Sequence, residues 1–424
     1  MFILTQRSTL RGAADIPASK SHTIRALFFG SLAGGVSVLE KPLDSLDTRA
    51  ALETCRALGA DIQTGEDWTV TGFAGRPHAP GDVVNVLNSG TTLNIALGIA
   101  ALADGHTVFT GDEQIRRRPV GPLLDALADL GAEAFSTRGN GLPPVVIGGR
   151  LRGGSTALRA ASSQFLTSIL IAAPLAERDS EIRVTELNEA PYVRMTLDWL
   201  DRLGIRCERA DSLAHFRVPG GQSYHAFRRR IPADFSSATF FLCGAAITGG
   251  PVTLCGLDMA DTQGDKAVVD MLRSMGVRIE EHEGGLLAAG GSLHGVELDL
   301  NATPDALPAL AVTACFARGE TRLVNVPQAR IKETDRIAVM CRELRKMRAQ
   351  VAELPDGLVI QGGSLRGADV DGHADHRVVM ALALAGLGAE GTTRIATAEA
   401  AAVTFPNFVE LMQSLGAEIE TAEA

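Results

Sequence analysis

Two kinds of helix alternate along the chain, and each kind recurs about every 70 residues. The first kind is rich in Ala and Leu and carries almost no charge after its first turn. Segments of this kind lie at 19–35, 88–105, 162–179, 234–250, 305–319 and 375–391. A helix that is apolar on most of its faces is buried. These six segments are therefore predicted to form the core.

The second kind of helix is amphipathic and ends where a strand begins. Its ends are "CRALGADI" (55–62), "LADLGAEA" (127–134), "LDRLGIRC" (200–207), "LRSMGVRI" (272–279), "LRKMRAQV" (344–351) and "MQSLGAEI" (412–419). In five of these ends a glycine stands just past the last apolar turn, the position where helices often take a left-handed residue. Arg348 alone replaces the glycine.

Short β-branched stretches between the helices predict strands. They are 35–41, 106–111, 180–186, 251–256, 321–326 and 392–397. The chain is thus predicted to be an α/β protein with six copies of a unit of about 70 residues, three copies in each of two domains. The proline-marked segments "DIPASK" (15–20) and "RRIPADF" (229–235) are the expected crossovers. One domain would comprise 1–17 plus 232–424, and the other 18–231.

Composition narrows the class of protein. The 424 residues include 46% hydrophobic and 21% charged side chains, which is ordinary for globular domains. A net charge of −10 disfavours binding to nucleic acid or to an anionic membrane. The six cysteines are scattered and form no CxxC pair, which argues against a zinc ribbon or a disulfide scaffold. We therefore expect a cytoplasmic protein without a metal site.

The starts of the buried helices hold the candidate chemistry. In "IPASKSHTIRAL" (16–27), Lys20 and Arg25 lie near a helix N-terminus, where the dipole disfavours cations unless an anion is present. Cations also crowd the loops "RRRPVGP" (116–122) and "RIKETDR" (330–336). Taken singly, such residues are ordinary caps or solvated charges. Repeated in phase, they predict helix starts that converge on a cleft between the domains and bind an anionic substrate.

Six motifs, in this order, resemble those of the 5-enolpyruvylshikimate-3-phosphate (EPSP) synthases. They are "NSGTT" (88–92), "RRRPVGPLLDAL" (116–127), "SSQFLTSILIAAPL" (162–175), "PDALPALAV" (304–312), "IKETDRI" (331–337) and "DHRVVMALAL" (375–384). The resemblance covers essentially the whole chain. It implies two inside-out α/β barrel domains that close on phosphoenolpyruvate (PEP) and shikimate 3-phosphate. The implied reaction moves the enolpyruvyl group to the 5-hydroxyl and releases phosphate, in the shikimate pathway to chorismate.

The resemblance also implies roles for single residues. Those implied to be catalytic are Lys20, Asp305 and Glu333. Those implied to bind PEP are Lys20, Asn88, Gly90, Arg118, Gln164, Arg336, His376 and Arg377. Those implied to bind the acceptor are Lys20, Ser21, Arg25, Ser162, Ser163, Gln164, Tyr192, Asp305, Gln328 and Lys332. No cofactor is implied, and we expect a monomer whose partners are the two small-molecule substrates.

Three positions depart from the family pattern. Asn94 stands where arginine is usual, Glu189 where serine helps to bind the acceptor phosphate, and Val403 where many members have lysine. We expect the Glu189 carboxylate to turn away or to be neutralised by Arg159 or Arg194. The departures leave open enolpyruvyl transfer to another cyclic alcohol or a sugar, or a homologue that binds a metabolite without catalysis.

Overall fold

A computed structural model gives the fold and describes residues 1–282 and 284–423. The α-helices of this part of the chain, α1 to α12, are Lys20–Leu32, Leu46–Ala57, Gly90–Ala100, Gly121–Asp129, Ser163–Ala172, Ala190–Arg202, Phe235–Thr248, Ala267–Ser274, Leu307–Cys315, Arg336–Lys346, His376–Gly388 and Phe408–Ser414. Its strands, β1 to β24, are Phe2–Gln6, Gly12–Asp15, Val36–Glu40, Asp61–Gln63, Trp68–Thr71, Val84–Asn85, His106–Thr110, Glu133–Ser136, Val145–Gly148, Gly154–Ala160, Ser180–Leu187, Glu208–Arg209, His215–Val218, Arg228–Arg230, Val252–Cys255, Arg278–His282, Gly285–Ala289, Glu297–Asp299, Glu320–Val324, Gln350–Leu354, Gly357–Gln361, Asp369–Asp371, Thr393–Ala396 and Glu418–Ala422.

The odd-numbered helices are the buried ones, as the sequence predicts. Every residue of α3 is buried, and α1 is buried from His22 to its end. Polar side chains cap several of these helices: Ser89 accepts a bond from the Thr92 N–H, and Ser162 from the Gln164 N–H. None of the described helices combines the length and apolar character that a bilayer crossing requires.

The even-numbered helices are amphipathic and end in the predicted left-handed residue. Gly59 follows α2 with φ 111° and Gly204 follows α6 with φ 72°. Arg348 takes the same conformation after α10, with φ 69°, although it carries a side chain. The end geometry of the repeat is therefore kept where its usual glycine is absent.

Six four-stranded sheets, counted over the residues that the structure describes, share one pattern of strand pairing, which confirms the predicted repeat. In the order β6-β7-β9-β8, β6 runs parallel to β7, and β9 runs antiparallel to both β7 and β8. The buried helix α3 connects the parallel pair, as a crossover helix must. The amphipathic helix α4 precedes the antiparallel pair. The other five sheets repeat this pattern of one parallel and two antiparallel pairings.

The chain divides into two compact units, residues 1–19 plus 232–424 and residues 20–231. Two short strands each join a sheet that does not contain the next strand of the chain. Strand β2 precedes α1 in the chain but pairs with β15 of the first unit, and β14 precedes α7 but pairs with β3 of the second. The N-terminal strand β1 lies between β23 and β24 and completes the last sheet.

Aromatic contacts hold helix α1, which carries Lys20 and Arg25, against helix α6. The Trp199 indole of α6 stacks on Phe29 of α1, with ring centroids 5.5 Å apart. Its Nε1–H donates to Nδ1 of His22 at 3.0 Å, and His22 is fully buried. Buried tryptophans place their N–H on a partner in this way. The contacts hold the start of α1 against α6.

Candidate active site

Lys20 begins helix α1 and pairs with a carboxylate from the start of the next helix. Its Nζ lies 3.1 Å from Oδ2 of Asp47, and the two side chains are 15% and 7% exposed. Asp47 lies in the first turn of α2, where the dipole favours an anion. The unfavourable cation at the α1 start is thus offset within the protein.

Arg25 is a buried cation one turn further along α1. Its guanidinium donates to the Thr196 hydroxyl at 3.0 Å, and to the backbone carbonyls of Tyr192 and Ser21 at 3.1 Å each. Burial lowers the pKa of Arg25 to about 10, against the opposing influence of Tyr192. These partners are neutral oxygens, so a charge remains that an anionic ligand can neutralise.

Asn88 and Gly90 shape the start of helix α3. The Asn88 amide donates to Asp112 at 2.5 Å and to the Gln114 side chain at 2.7 Å, which fixes it to the loop before Arg118. A Cβ on Gly90 would overlap the Arg118 guanidinium. Glycine at this position therefore lets Arg118 lie directly against the first turn of α3.

Asn94 has a role that the sequence did not reveal. Its Nδ2 donates to Oε1 of Gln164 at 2.7 Å, and the Gln164 Nε2 donates to Thr91 at 3.1 Å. The departure from arginine therefore does more than remove a charge. It joins α3 to α5 and fixes the orientation of the Gln164 amide.

Glu189 does not turn away from the site, and the expectation that it would is wrong. The residue is 1% exposed, and Oε2 accepts bonds from the Ser163 hydroxyl at 2.7 Å and the Ser163 N–H at 3.4 Å. Arg159 pairs instead with Glu186 at 2.6 Å, and Arg194 is exposed. The N-terminus of α5 supplies donors and a favourable dipole to this carboxylate.

The other unit holds a network centred on Arg336, which is 1% exposed at the start of α10. Its guanidinium donates to Asp305 at 2.7 Å, to Glu333 at 2.6 Å and to Asp375 at 2.8 Å. Burial lowers the pKa of Arg336, but the Asp375, Glu333 and Asp305 carboxylates outweigh it and hold this pKa above its ordinary value. Arg336 therefore positions both carboxylates that the resemblance implies to be catalytic.

Asp375 connects this network to helix α11. Its Oδ1 accepts bonds from the Arg377 N–H at 2.9 Å and the Val378 N–H at 3.4 Å, so it caps the helix. The Arg377 guanidinium lies 3.1 Å from Oδ2 of Asp305. The Asp305 carboxylate is thus shared by two guanidiniums, a charge-assisted geometry that fixes its direction.

The remaining candidates lie on the same helix starts or on the segments leading to them. Gln328 is 3% exposed and donates to the Asn301 carbonyl at 3.0 Å, while Lys332 is half-buried. His376 is buried at the first position of α11. Of the remaining candidates in the second unit, Ser21, Ser162 and Tyr192 are half-buried. The candidates therefore form two sets, one on each unit.

Sequence reasoning missed three carboxylates that hold these candidates in place: Asp47, Asp112 and Asp375. Each lies at or near a helix start, where an acidic residue is typical of an ordinary helix cap. Asp375 stands directly before the predicted His376 and Arg377, and that adjacency was the available signal.

The arrangement is suited to acid–base chemistry on an anionic substrate. Asp305 and Glu333 are 19% and 11% exposed, so both can reach a ligand while their guanidinium partners hold them in place. No three His, Cys, Asp or Glu side chains of the described ranges are grouped as a metal would need.

The chain is similar to known proteins in both sequence and fold. The model of the EPSP synthase (3-phosphoshikimate 1-carboxyvinyltransferase) family matches residues 4–412. A 3-phosphoshikimate 1-carboxyvinyltransferase of Acetivibrio thermocellus is 55% identical over 424 residues and covers 100% of both chains. One of Ruminiclostridium cellulolyticum is 54% identical over 99% of this chain and 100% of its own. A solved EPSP synthase of Acinetobacter baumannii superposes with a TM-score of 0.82 at 28% identity, covering 100% of each chain.

Proposed function

The chain belongs to the EPSP synthase family, and we propose that the two sets of residues described above carry that family's reaction on one pair of substrates. The protein transfers the enolpyruvyl group of PEP to the 5-hydroxyl of shikimate 3-phosphate and releases phosphate. The Arg336 network is the observation that supports the catalytic roles of Asp305 and Glu333, because it holds both carboxylates together beside Arg377.

Addition comes first in the proposed mechanism. Asp305 accepts the proton of the acceptor's 5-hydroxyl while that oxygen forms a bond to C2 of PEP. Glu333, aided by Lys20, donates a proton to the methylene carbon, which becomes a methyl group. General acid–base groups serve this purpose when they lie within hydrogen-bonding reach of the reacting atoms. The product of this step is a tetrahedral intermediate that still carries the phosphate.

Elimination reverses only the proton transfer to the methylene carbon. Glu333 removes a proton from the new methyl group, the C2–O bond to phosphate breaks as the double bond forms again, and the proton held by Asp305 passes to the departing phosphate. Arg118, Arg336 and Arg377 are proposed to stabilise the departing phosphate, since arginines bind such anions through paired N–H groups. Gln164 and Asn88 would direct further donors at PEP. His376, at the first position of α11, would complete this set.

The acceptor is proposed to bind mainly to the second unit. Arg25 supports this assignment, because its guanidinium is buried among neutral oxygens and can neutralise an anion. Ser21, Ser162, Ser163 and Tyr192 would contact the acceptor from the same helix starts. From the other unit, Lys332 and Gln328 would contact the acceptor's hydroxyl groups together with Asp305.

Replacing Asp305 by Asn and Glu333 by Gln tests the roles directly. Each change keeps the size of the side chain and removes the proton acceptor, so turnover should fall by about 100-fold or more. The fold should persist, because Arg336 keeps its other carboxylate partners. Steady-state phosphate release with both substrates measures the effect.

The matched control is Glu353→Gln. Glu353 also accepts a bond from an arginine, Arg330, at 2.9 Å, but its side chain is 41% exposed and outside the network. Turnover in this variant should stay close to that of the parent. Near-normal turnover of Asp305→Asn or Glu333→Gln would remove that residue from the mechanism.

The working form of the protein is proposed to be a cytoplasmic monomer without a cofactor. All the proposed roles are filled by residues of one chain, so the reaction calls for no second copy. Light scattering coupled to size-exclusion chromatography, with and without both substrates, tests the monomer. A mass of twice the 44.5 kDa of the chain would contradict it.

A further inference from the structure

We propose that Glu189 sets the affinity for the phosphorylated acceptor, because its carboxylate occupies the start of helix α5 that the acceptor's phosphate needs. The inference rests on the proposed function, in which Ser162 and Ser163 contact the acceptor. Glu189 would be a specificity-determining residue that competes with the substrate and takes no part in proton transfer.

The Glu189 carboxylate is bound as an anionic ligand would be. Its Oε2 accepts the Ser163 hydroxyl at 2.7 Å and the Ser163 N–H at 3.4 Å, and the residue is 1% exposed. A helix N-terminus favours an anion through its unpaired N–H groups and its dipole. At α5 the protein itself supplies that anion.

The backbone at Glu189 adopts an uncommon conformation. Glu189 has φ 57° and ψ 40°, a left-handed conformation that is uncommon for a residue with a Cβ. It stands immediately before α6, yet its side chain makes no cap bond to that helix. Conformations of this kind persist where the surrounding structure fixes them, and they cluster at ligand sites.

A phosphate and this carboxylate cannot use the same Ser163 donors at once. To bind, the acceptor must displace Glu189, and the two anions then repel each other across a partly buried site. Both effects weaken binding of shikimate 3-phosphate but leave an acceptor without phosphate largely unaffected. The protein should therefore discriminate less between shikimate 3-phosphate and shikimate than a variant with serine at this position.

Glu189→Ser tests the inference in the full-length protein. The KM for shikimate 3-phosphate should fall by at least about tenfold. The repulsion energy between like charges a few Å apart is larger than the roughly 1.4 kcal/mol to which a tenfold change corresponds. The KM for PEP should change by less than about twofold. The change in kcat/KM for shikimate should be much smaller than the change in kcat/KM for shikimate 3-phosphate. Glu189→Gln, which keeps the size and can still accept from Ser163, should give a smaller fall.

Glu186→Ser is the matched control, since Glu186 lies on the same segment and pairs with Arg159 at 39% exposure. It removes the same charge but should leave the KM for shikimate 3-phosphate within about twofold. An unchanged or raised KM in both Glu189 variants, with turnover retained, would overturn the inference and leave the proposed function intact. Absence of turnover in the parent protein would overturn the proposed function, and this inference with it.

Discussion

Glu343 is a fully buried carboxylate of helix α10 that holds the segment leading into α11. It accepts bonds from Lys346 at 2.6 Å, from the His373 ring at 3.0 Å and from the Asp371 N–H at 3.0 Å. Burial alone would raise the pKa of Glu343, but these bonds and one from Arg342 lower it from 4.5 to about 2. The segment that Glu343 holds ends at Asp375, which bonds Arg336. Glu343 therefore supports the Arg336 network through this segment.

This shift predicts a pH-dependent contribution to stability. A carboxylate with a lowered pKa stabilises the fold above its unfolded value of 4.5 and loses that contribution as the pH falls toward 2. Glu343→Gln should therefore reduce the free energy of unfolding by on the order of 3 kcal/mol at neutral pH. Urea unfolding at several pH values should show this difference shrinking steadily below pH 4.5.

Asp270→Asn provides the comparison, because Asp270 pairs with Arg273 on the surface at 75% exposure. An exposed pair of this kind contributes up to about 1 kcal/mol. A Glu343→Gln difference that is equally small, or that stays constant as the pH falls, would contradict the assignment.

At this scale the sequence predicted candidate site residues where a helix start carries an unusual charge, as at Lys20 and Arg336, and their roles stay a prediction. It could not predict their partners. Asp47 lies in a different helix from Lys20, and Asp375 lies 39 positions from Arg336. Such pairings depend on how the repeats pack, and no local pattern encodes them. The wrong expectation for Glu189 has the same cause, since Ser163 lies 26 positions away.

Arg348 is the element-scale counterpart, a left-handed residue that ends α10 where the other repeats use glycine. Its φ of 69° strains a side-chain-bearing residue, and its N–H bonds the Arg345 carbonyl at 3.0 Å as the repeat requires. Arg348→Gly should therefore raise the free energy of unfolding by about 0.5–1 kcal/mol, the left-handed strain less the added chain entropy. Urea denaturation measures the change.

Gly204→Ala is the reverse control at the end of α6. Gly204 has φ 72°, and no atom lies within 4 Å of a Cβ built on it, so the substitution adds strain without a clash. It should destabilise by about 1 kcal/mol. Equal stability of Arg348→Gly and the parent would show that the left-handed strain is no larger than the chain entropy that glycine adds, and would contradict the prediction.

The elements were predictable where their apolar pattern is clear, and length alone did not decide it, because the seven-residue strand β10 was missed. The buried helices and strands such as β7 carry a clear apolar pattern, and the structure confirms them. The first strand of each sheet was missed, as were the return strands such as β9. Strand β6 has two residues and β14 has three, too few to show an alternation. Their pairing is decided by the neighbouring strand.

The whole molecule follows from one repeat used six times, with two of its strands exchanged. The repeat is visible in the sequence, because glycines and apolar helices recur in phase. The exchange of β2 and β14 is not, since it depends on which sheet each short strand joins. The prolines near residues 17 and 232 were the only local sign, and the boundaries of the compact units fall at 19/20 and 231/232.

The central claim is that the protein transfers the enolpyruvyl group of PEP to shikimate 3-phosphate, and phosphate release tests it most directly. The purified protein is given PEP alone, shikimate 3-phosphate alone, and both together, and inorganic phosphate is followed over time. Steady release should occur with both substrates and with neither alone, and Asp305→Asn should reduce it by about 100-fold or more. Release from PEP alone at the same rate, or no release with both substrates, would contradict the account.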